Sequence, residues 1–151
     1  EAVRDNLLFV CGSLDLAMGG PEIDHNLGLT SKRRSLYLRL AAEKEVEFLK
    51  IFDGPAVTEC YERRPSVMPQ QALAMANSEL AQAEARKLAK QFATDDEEAF
   101  VRSAFAQILA RRPTAEETRL GREFLAATAK DRARENLVLV LLNHNDFVTV
   151  R

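Results

Sequence analysis

A chain of 151 residues with 46% hydrophobic and 29% charged side chains has the composition of one ordinary globular domain, able to bury a core without a metal or a disulfide. Its 21 basic and 23 acidic residues leave a net charge of −2, so there is no basic excess to grip a phosphate backbone, and nucleic-acid binding is not expected. Trp is absent and Tyr occurs twice, which excludes a multi-site aromatic platform, and no stretch approaches the roughly 20 apolar residues that span a bilayer.

The chain opens at Glu1 without a Met and inside a helical pattern, so it is expected to be an excised piece of a larger protein. Val3, Leu7, Val10 and Cys11 recur at helical spacing, and Gly12 can end that helix. Gly19-Gly20-Pro21 and the residues up to Thr30 read as irregular loop. Leu36, Leu38 and Leu40 alternate with Tyr37 and Arg39, which predicts a short strand or an extended segment lying on helices. A short helix follows over 43–52 with Val46, Leu49 and Ile51 inward; Asp53-Gly54-Pro55 breaks it, and loop continues to Pro69.

An Ala-rich helix is predicted over 70–92, with Leu73, Ala76, Leu80 and Leu88 on one side. Thr94 or Asp95 can cap the next helix, whose first turn, Asp95-Asp96-Glu97-Glu98, complements the helix dipole. Val101, Ala104, Phe105, Ile108 and Leu109 form its apolar stripe, and Pro113 stops it after Arg111 and Arg112. Thr114 with Glu117 is a capping box for a helix carrying Leu120, Phe124 and Leu125 inward, with Gly121 marking a tight crossing. A last helix over 132–144 is apolar on several faces and should be central. The expectation is a mainly α fold, an irregular bundle of about five or six helices in a single domain, with a loop-rich half (1–69), a helical half (70–151) and at most one short strand or hairpin.

The residues that carry chemistry are sparse. Asp24-His25 and His144-Asn145-Asp146 each offer two metal ligands where a site needs three or four, so they read as loop and helix-end hydrogen bonding; no metal and no cofactor is expected. Cys11 lies on an apolar helix face and reads as a buried thiol. Cys60 sits in a polar loop, where Arg63 and Arg64 favour a thiolate and Glu59 and Glu62 oppose it. A Cys11–Cys60 disulfide would close a long loop and stabilise by about 3–4 kcal/mol in an oxidising compartment. Neither His is placed by sequence as a base for Cys60. Lys32-Arg33-Arg34, Arg63-Arg64 and Arg111-Arg112 would receive an anionic sugar or an acidic partner surface if they converged; apart, they are solvated surface and helix-end charge. No phosphate loop, nucleophile elbow or zinc-protease motif is present, and no spacing singles out a pair of carboxylates for glycoside hydrolysis.

The ordered segments carry a resemblance. Ala2-Val3-Arg4-Asp5-Asn6-Leu7-Leu8 with Gly12-Ser13-Leu14-Asp15 and Met18-Gly19-Gly20-Pro21 form one block, and Arg33-Arg34-Ser35-Leu36-Tyr37-Leu38-Arg39 a second. Phe52-Asp53-Gly54-Pro55, Cys60, Arg63-Arg64, Pro69-Gln70-Gln71-Ala72-Leu73-Ala74 and Asn77-Ser78 form a third. Ile108 through Thr114 with Glu116-Glu117, then Leu142-Asn143 before Asp146-Phe147, complete the set. Together, over nearly the whole chain, they resemble the planctomycete-specific carboxyl-terminal domain of unknown function found in large secreted proteins. The resemblance implies a periplasmic or extracellular protein with another uncharacterised domain upstream, often with a cytochrome-c-like domain beyond it. It supplies no catalytic residue. Where the family more often has Ser this chain has Cys11, which weighs against the disulfide.

Two functional readings follow. The first is a non-catalytic helical module that packs against upstream domains of the same polypeptide or binds a partner. The second is part of an enzyme acting on an anionic or sulfated polysaccharide, with Arg33, Arg34, Arg63 and Arg64 receiving anionic groups, Asp15, Asp53 or Glu62 as acid or base, and Cys60 in the same loops.

Overall fold

The first helix, α1 (Ala2–Val10), ends where the sequence places its glycine. Gly12 adopts φ +64°, its N–H donates to Phe9 O at 2.9 Å, and Ser13 N–H reaches back to Leu8 O at 2.8 Å. These two bonds are a Schellman closure, which needs a left-handed residue just past the helix. The structure, a computed structural model, describes residues 1–41, 44–52, 69–92, 94, 96–127 and 130–148. It divides into two compact units, Glu1–Leu80 and Ala81–Arg151.

In the first unit, α1 is followed by irregular chain punctuated by two 3-10 turns, His25–Leu27 and Ser35–Tyr37, then by α2 (Glu47–Ile51) and α3 (Pro69–Asn77). Leu7, Leu8, Cys11, Leu38, Phe48 and Met75 are buried. The irregular chain is held by isolated parallel bridges, Asp15 to Arg33 and Ile23 to Leu38. The alternation of Leu36, Leu38 and Leu40 does not make a strand. Residues 35–37 wind into a turn with Leu38 N–H on Ser35 O at 3.0 Å, which leaves Leu36 and Leu40 exposed and buries only Leu38. No named strand occurs among the described residues.

In the second unit, α4 (Glu79–Gln91), in which the division falls, leads to α5 (Glu97–Leu109), α6 (Ala115–Ala127), α7 (Lys130–Leu142) and α8 (Asn145–Val148). The single helix expected over 70–92 is two helices, because Asn77-Ser78 interrupts it with side chains that compete for backbone hydrogen bonds. That break and the short α8 raise the six expected helices to eight among the described residues. The cap of α5 is Asp96 rather than Thr94 or Asp95: its carboxylate accepts from Glu98 N at 3.1 Å and Ala99 N at 3.3 Å.

Helices α5, α6 and α7 pack pairwise around Phe100, Val101, Ala104, Leu125, Val138 and Leu142. Gly121 makes the α5–α6 crossing possible, since a Cβ there would meet Val101 Cγ2 at 2.9 Å. Leu120 faces solvent at 50% exposure, and so does Leu73 on α3, because these helices bury narrower stripes than their apolar content suggests.

The capping box at α6 forms as expected: Thr114 N–H donates to Glu117 Oε2 at 2.7 Å and Glu117 N–H to Thr114 Oγ1 at 3.2 Å. Arg111 forks onto the same carboxylate at 2.7 and 2.9 Å and gives Nε to Asp146 at 3.0 Å, tying the α5–α6 corner to α8. These bonds, the Arg111 fork foremost, hold Glu117 at a pKa of about 2, below its ordinary 4.5. A depressed carboxylate pKa stabilises the fold above its unfolded pKa, and that stability is lost as pH falls through the folded one. Glu117→Gln is therefore expected to cost about 1–2 kcal/mol at neutral pH, discounted for the group's partial exposure, in chemical denaturation. The difference from wild type should shrink between about pH 4.5 and 2.

Candidate functional site

Arg4 sits at the first position of an i, i+3, i+4, i+7 stripe with Leu7, Leu8 and Cys11, and all four are fully buried. A guanidinium there must be met by acceptors, since an unpaired buried charge costs several kcal/mol. The chain supplies them from one segment. Arg4 Nε donates to Gly28 O at 2.7 Å; its terminal nitrogens donate to Arg33 O at 2.9 Å, Ser35 Oγ at 3.1 Å and Ser31 O. Asp5 completes the node, pairing with Arg4 at 3.3 Å and accepting from Ser35 N at 2.8 Å and Ser35 Oγ at 2.6 Å. Desolvation lowers the Arg4 pKa and the Asp5 charge counters it. Gly28 is required at its place, because a Cβ would fall 2.6 Å from Val46 Cγ1.

By fixing residues 28–35 on α1, this node positions Arg33. The Arg33 guanidinium lies 4.0 Å from the centroid of the Tyr37 ring and donates to Ala17 O at 3.1 Å and to Gly19 O. Tyr37 Oη accepts from Gly19 N at 2.9 Å. Asp15 N–H bonds Lys32 O at 2.9 Å, and the Asp15 carboxylate accepts from Ala17 N at 2.8 Å. Loop 15–20 is thus clasped to the arginine segment at both ends. Its two large apolar side chains face solvent, Leu16 at 62% exposure and Met18 at 89%.

Of the candidates named from sequence, the structure brings Asp15 and Arg33 together across one bridge and places Arg34 beside them, exposed at the start of the 35–37 turn. Arg33 and Asp15 spend hydrogen bonds on the loop itself. Asp53, Cys60, Glu62, Arg63 and Arg64 lie outside the described residues, and so does one end of the Cys11–Cys60 pairing. Arg4, Asp5, Ser35 and Tyr37 are the positioning residues that reading by motif passes over. The signal for Arg4 was its place on the apolar stripe.

His144 makes a helix-end hydrogen bond, whereas His25 Nδ1 is buried without a hydrogen-bond partner among the described residues. The Asp24 carboxylate accepts from Asn26 N at 2.9 Å, which lowers its pKa, and lies 3.2 Å from His25 Nδ1. His144 Nδ1 accepts from Asp146 N at 3.0 Å. Among the described residues no three His, Cys, Asp or Glu side chains are grouped to hold a metal ion, and no helix is long and apolar enough to cross a membrane.

A family model described as PSD1, protein of unknown function (DUF1553), matches residues 1–125. The chain belongs to this family. The match takes in the whole Arg4 node and the Arg33 clasp, and it ends within α6. No curated protein and no solved structure matches.

Two outcomes test the site's construction. Arg4→Met should destabilise the first unit by about 3–5 kcal/mol in denaturant melts, because it strands Asp5 and three backbone carbonyls. Arg33→Ala should leave the helices folded by circular dichroism and speed amide hydrogen exchange at Gly19, about tenfold or more, as the clasp opens.

Proposed function

We propose that this PSD1-family domain is a non-catalytic helical module that packs against an upstream domain of the same polypeptide, with loop 15–20 as its contact surface. The observation that carries the reading is the clasp: Arg33 and Tyr37 fix a loop whose most prominent groups are the exposed Leu16 and Met18. A pre-organised apolar projection of this kind loses little conformational freedom on docking. Met adapts to an irregular partner surface. The setting that goes with this reading is an exported, periplasmic or extracellular protein of the planctomycete type, with cytochrome-c-like domains elsewhere in the chain.

A second reading, part of an enzyme on an anionic or sulfated polysaccharide, draws on one observation, the juxtaposition of Asp15 with Arg33 and Arg34. The first is preferred because the guanidinium of Arg33 and the carboxylate of Asp15 are already engaged within the loop.

Mixing the 151-residue chain with the separately produced upstream region of its parent, and measuring association by calorimetry, tests the module. Leu16→Asp and Met18→Asp are each expected to weaken association by about tenfold or more while leaving the thermal melt in place. Unchanged association in both variants would sink the proposal.

A further inference from the structure

Two clefts of the same size, about 420 Å³, open on the second unit, and their arginines are in opposite states. In the cleft beside α6, Arg119 donates to Glu116 at 3.0 Å and Glu123 at 2.6 Å, and Arg122 lies 3.7 Å from Glu98. Its cations are neutralised by their own neighbours. In the cleft between α4 and α7, Arg86 and Arg132 are both exposed, and neither has an ion-pair or hydrogen-bond partner among the described residues.

That second cleft is built from two helix faces. Gln82, Ala85 and Arg86 fall at i, i+3, i+4 on α4, and Arg132, Glu135, Asn136 and Leu139 at i, i+3, i+4, i+7 on α7. Ala85 is buried and Leu139 half-buried, so they form an apolar floor, and the small Ala85 side chain helps leave the space above it open. Around the floor stand two guanidiniums, two carboxamides and one carboxylate. The lining charge is +2 from the arginines and −1 from Glu135, a net +1.

The geometry points to a binding site for a small hydroxylated monoanion, a carboxylate or a sulfate ester, between α4 and α7. The guanidinium forks of Arg86 and Arg132 match a planar or tetrahedral oxyanion. Glu135 offers an acceptor to a hydroxyl of the same ligand and disfavours a dianion. Gln82 and Asn136 supply donors and acceptors to further hydroxyls. The α4 wall lies within the family match and the α7 wall beyond its end at residue 125. It is built from residues of the second unit alone, and its test does not depend on the packing module.

Calorimetric titration of the 151-residue chain with glucuronate, glucose 6-sulfate, glucose and acetate tests it. Saturable binding of at least one of the two sugar monoanions is expected, about tenfold or more tighter than glucose or acetate, and which of the two binds identifies the oxyanion. Arg86→Ala and Arg132→Ala, on different helices and both exposed, should each weaken it by about tenfold, with thermal melts checking the fold. Arg119→Ala, in the neutralised cleft, should leave it unchanged. The site is overturned if neither sugar monoanion binds saturably, if glucose or acetate binds as tightly, or if Arg119→Ala costs as much as Arg86→Ala.

Discussion

A buried guanidinium organises the first unit. Arg4 has no exposed surface, and desolvation of its charge is an unfavourable demand that α1 makes on the rest of the unit. That demand is met by carbonyls of Gly28, Ser31 and Arg33, by the Ser35 hydroxyl and by Asp5. Backbone that forms neither helix nor sheet thereby has its polar groups satisfied and its path fixed. A hydrophobic contact at position 4 could bury similar area, but it would place no constraint on which carbonyls approach or from what direction. The irregular half of the molecule is ordered by directional bonds more than by regular secondary structure.

The second unit solves a smaller problem with the same residue type. Arg111 is one-third exposed and meets two carboxylates and a single carbonyl, that of Arg112, so less charge is desolvated and less depends on it. Its neighbour Ala110 takes a left-handed conformation at φ 53°, a position that glycine fills more cheaply. Here the apolar interlock of α5, α6 and α7, made close by Gly121 against Val101, carries the fold, and the polar corner fixes where α8 sits.

Much of this was legible in the residues. Helical periodicity located α5, α6 and α7; the Thr114–Glu117 box and Gly12 marked helix ends; and Gly121 announced a close crossing, because each rests on local chemistry that tertiary context does not override. Of the two readings of the 35–40 segment, the strand does not form and the extended segment survives at Leu38, because a period-2 pattern of leucines reports on two faces of a strand only when a neighbouring strand exists. Without one, Arg4 and Asp5 drew Ser35 into a turn, and two of the three leucines went to solvent. The Ala-rich stretch hid its break because Asn77 and Ser78 weaken a helix by competition, which propensity sums average away. Of the candidate residues, Asp15 and Arg33 share a backbone bridge, but their side chains bond to the loop's own backbone, Asp15 to Ala17 N and Arg33 to Ala17 O and Gly19 O. Sequence cannot show whether a charged group is consumed at home.

Apart from Asp5, the acceptors of Arg4 lie 24 to 31 residues downstream of it. At nine residues α1 is shorter than the roughly 12–15 that hold a helix in water by themselves. Its burial also requires that carbonyls made much later be in place. During synthesis the set of acceptors that satisfies Arg4 is complete only when about residue 35 has emerged, and any cleavage between Cys11 and Ser35 that lets the pieces separate takes both sides of the node apart at once. The opening third of the chain is therefore assembled or lost as one piece, which makes the long, apparently unstructured stretch after α1 the least dispensable part of the unit.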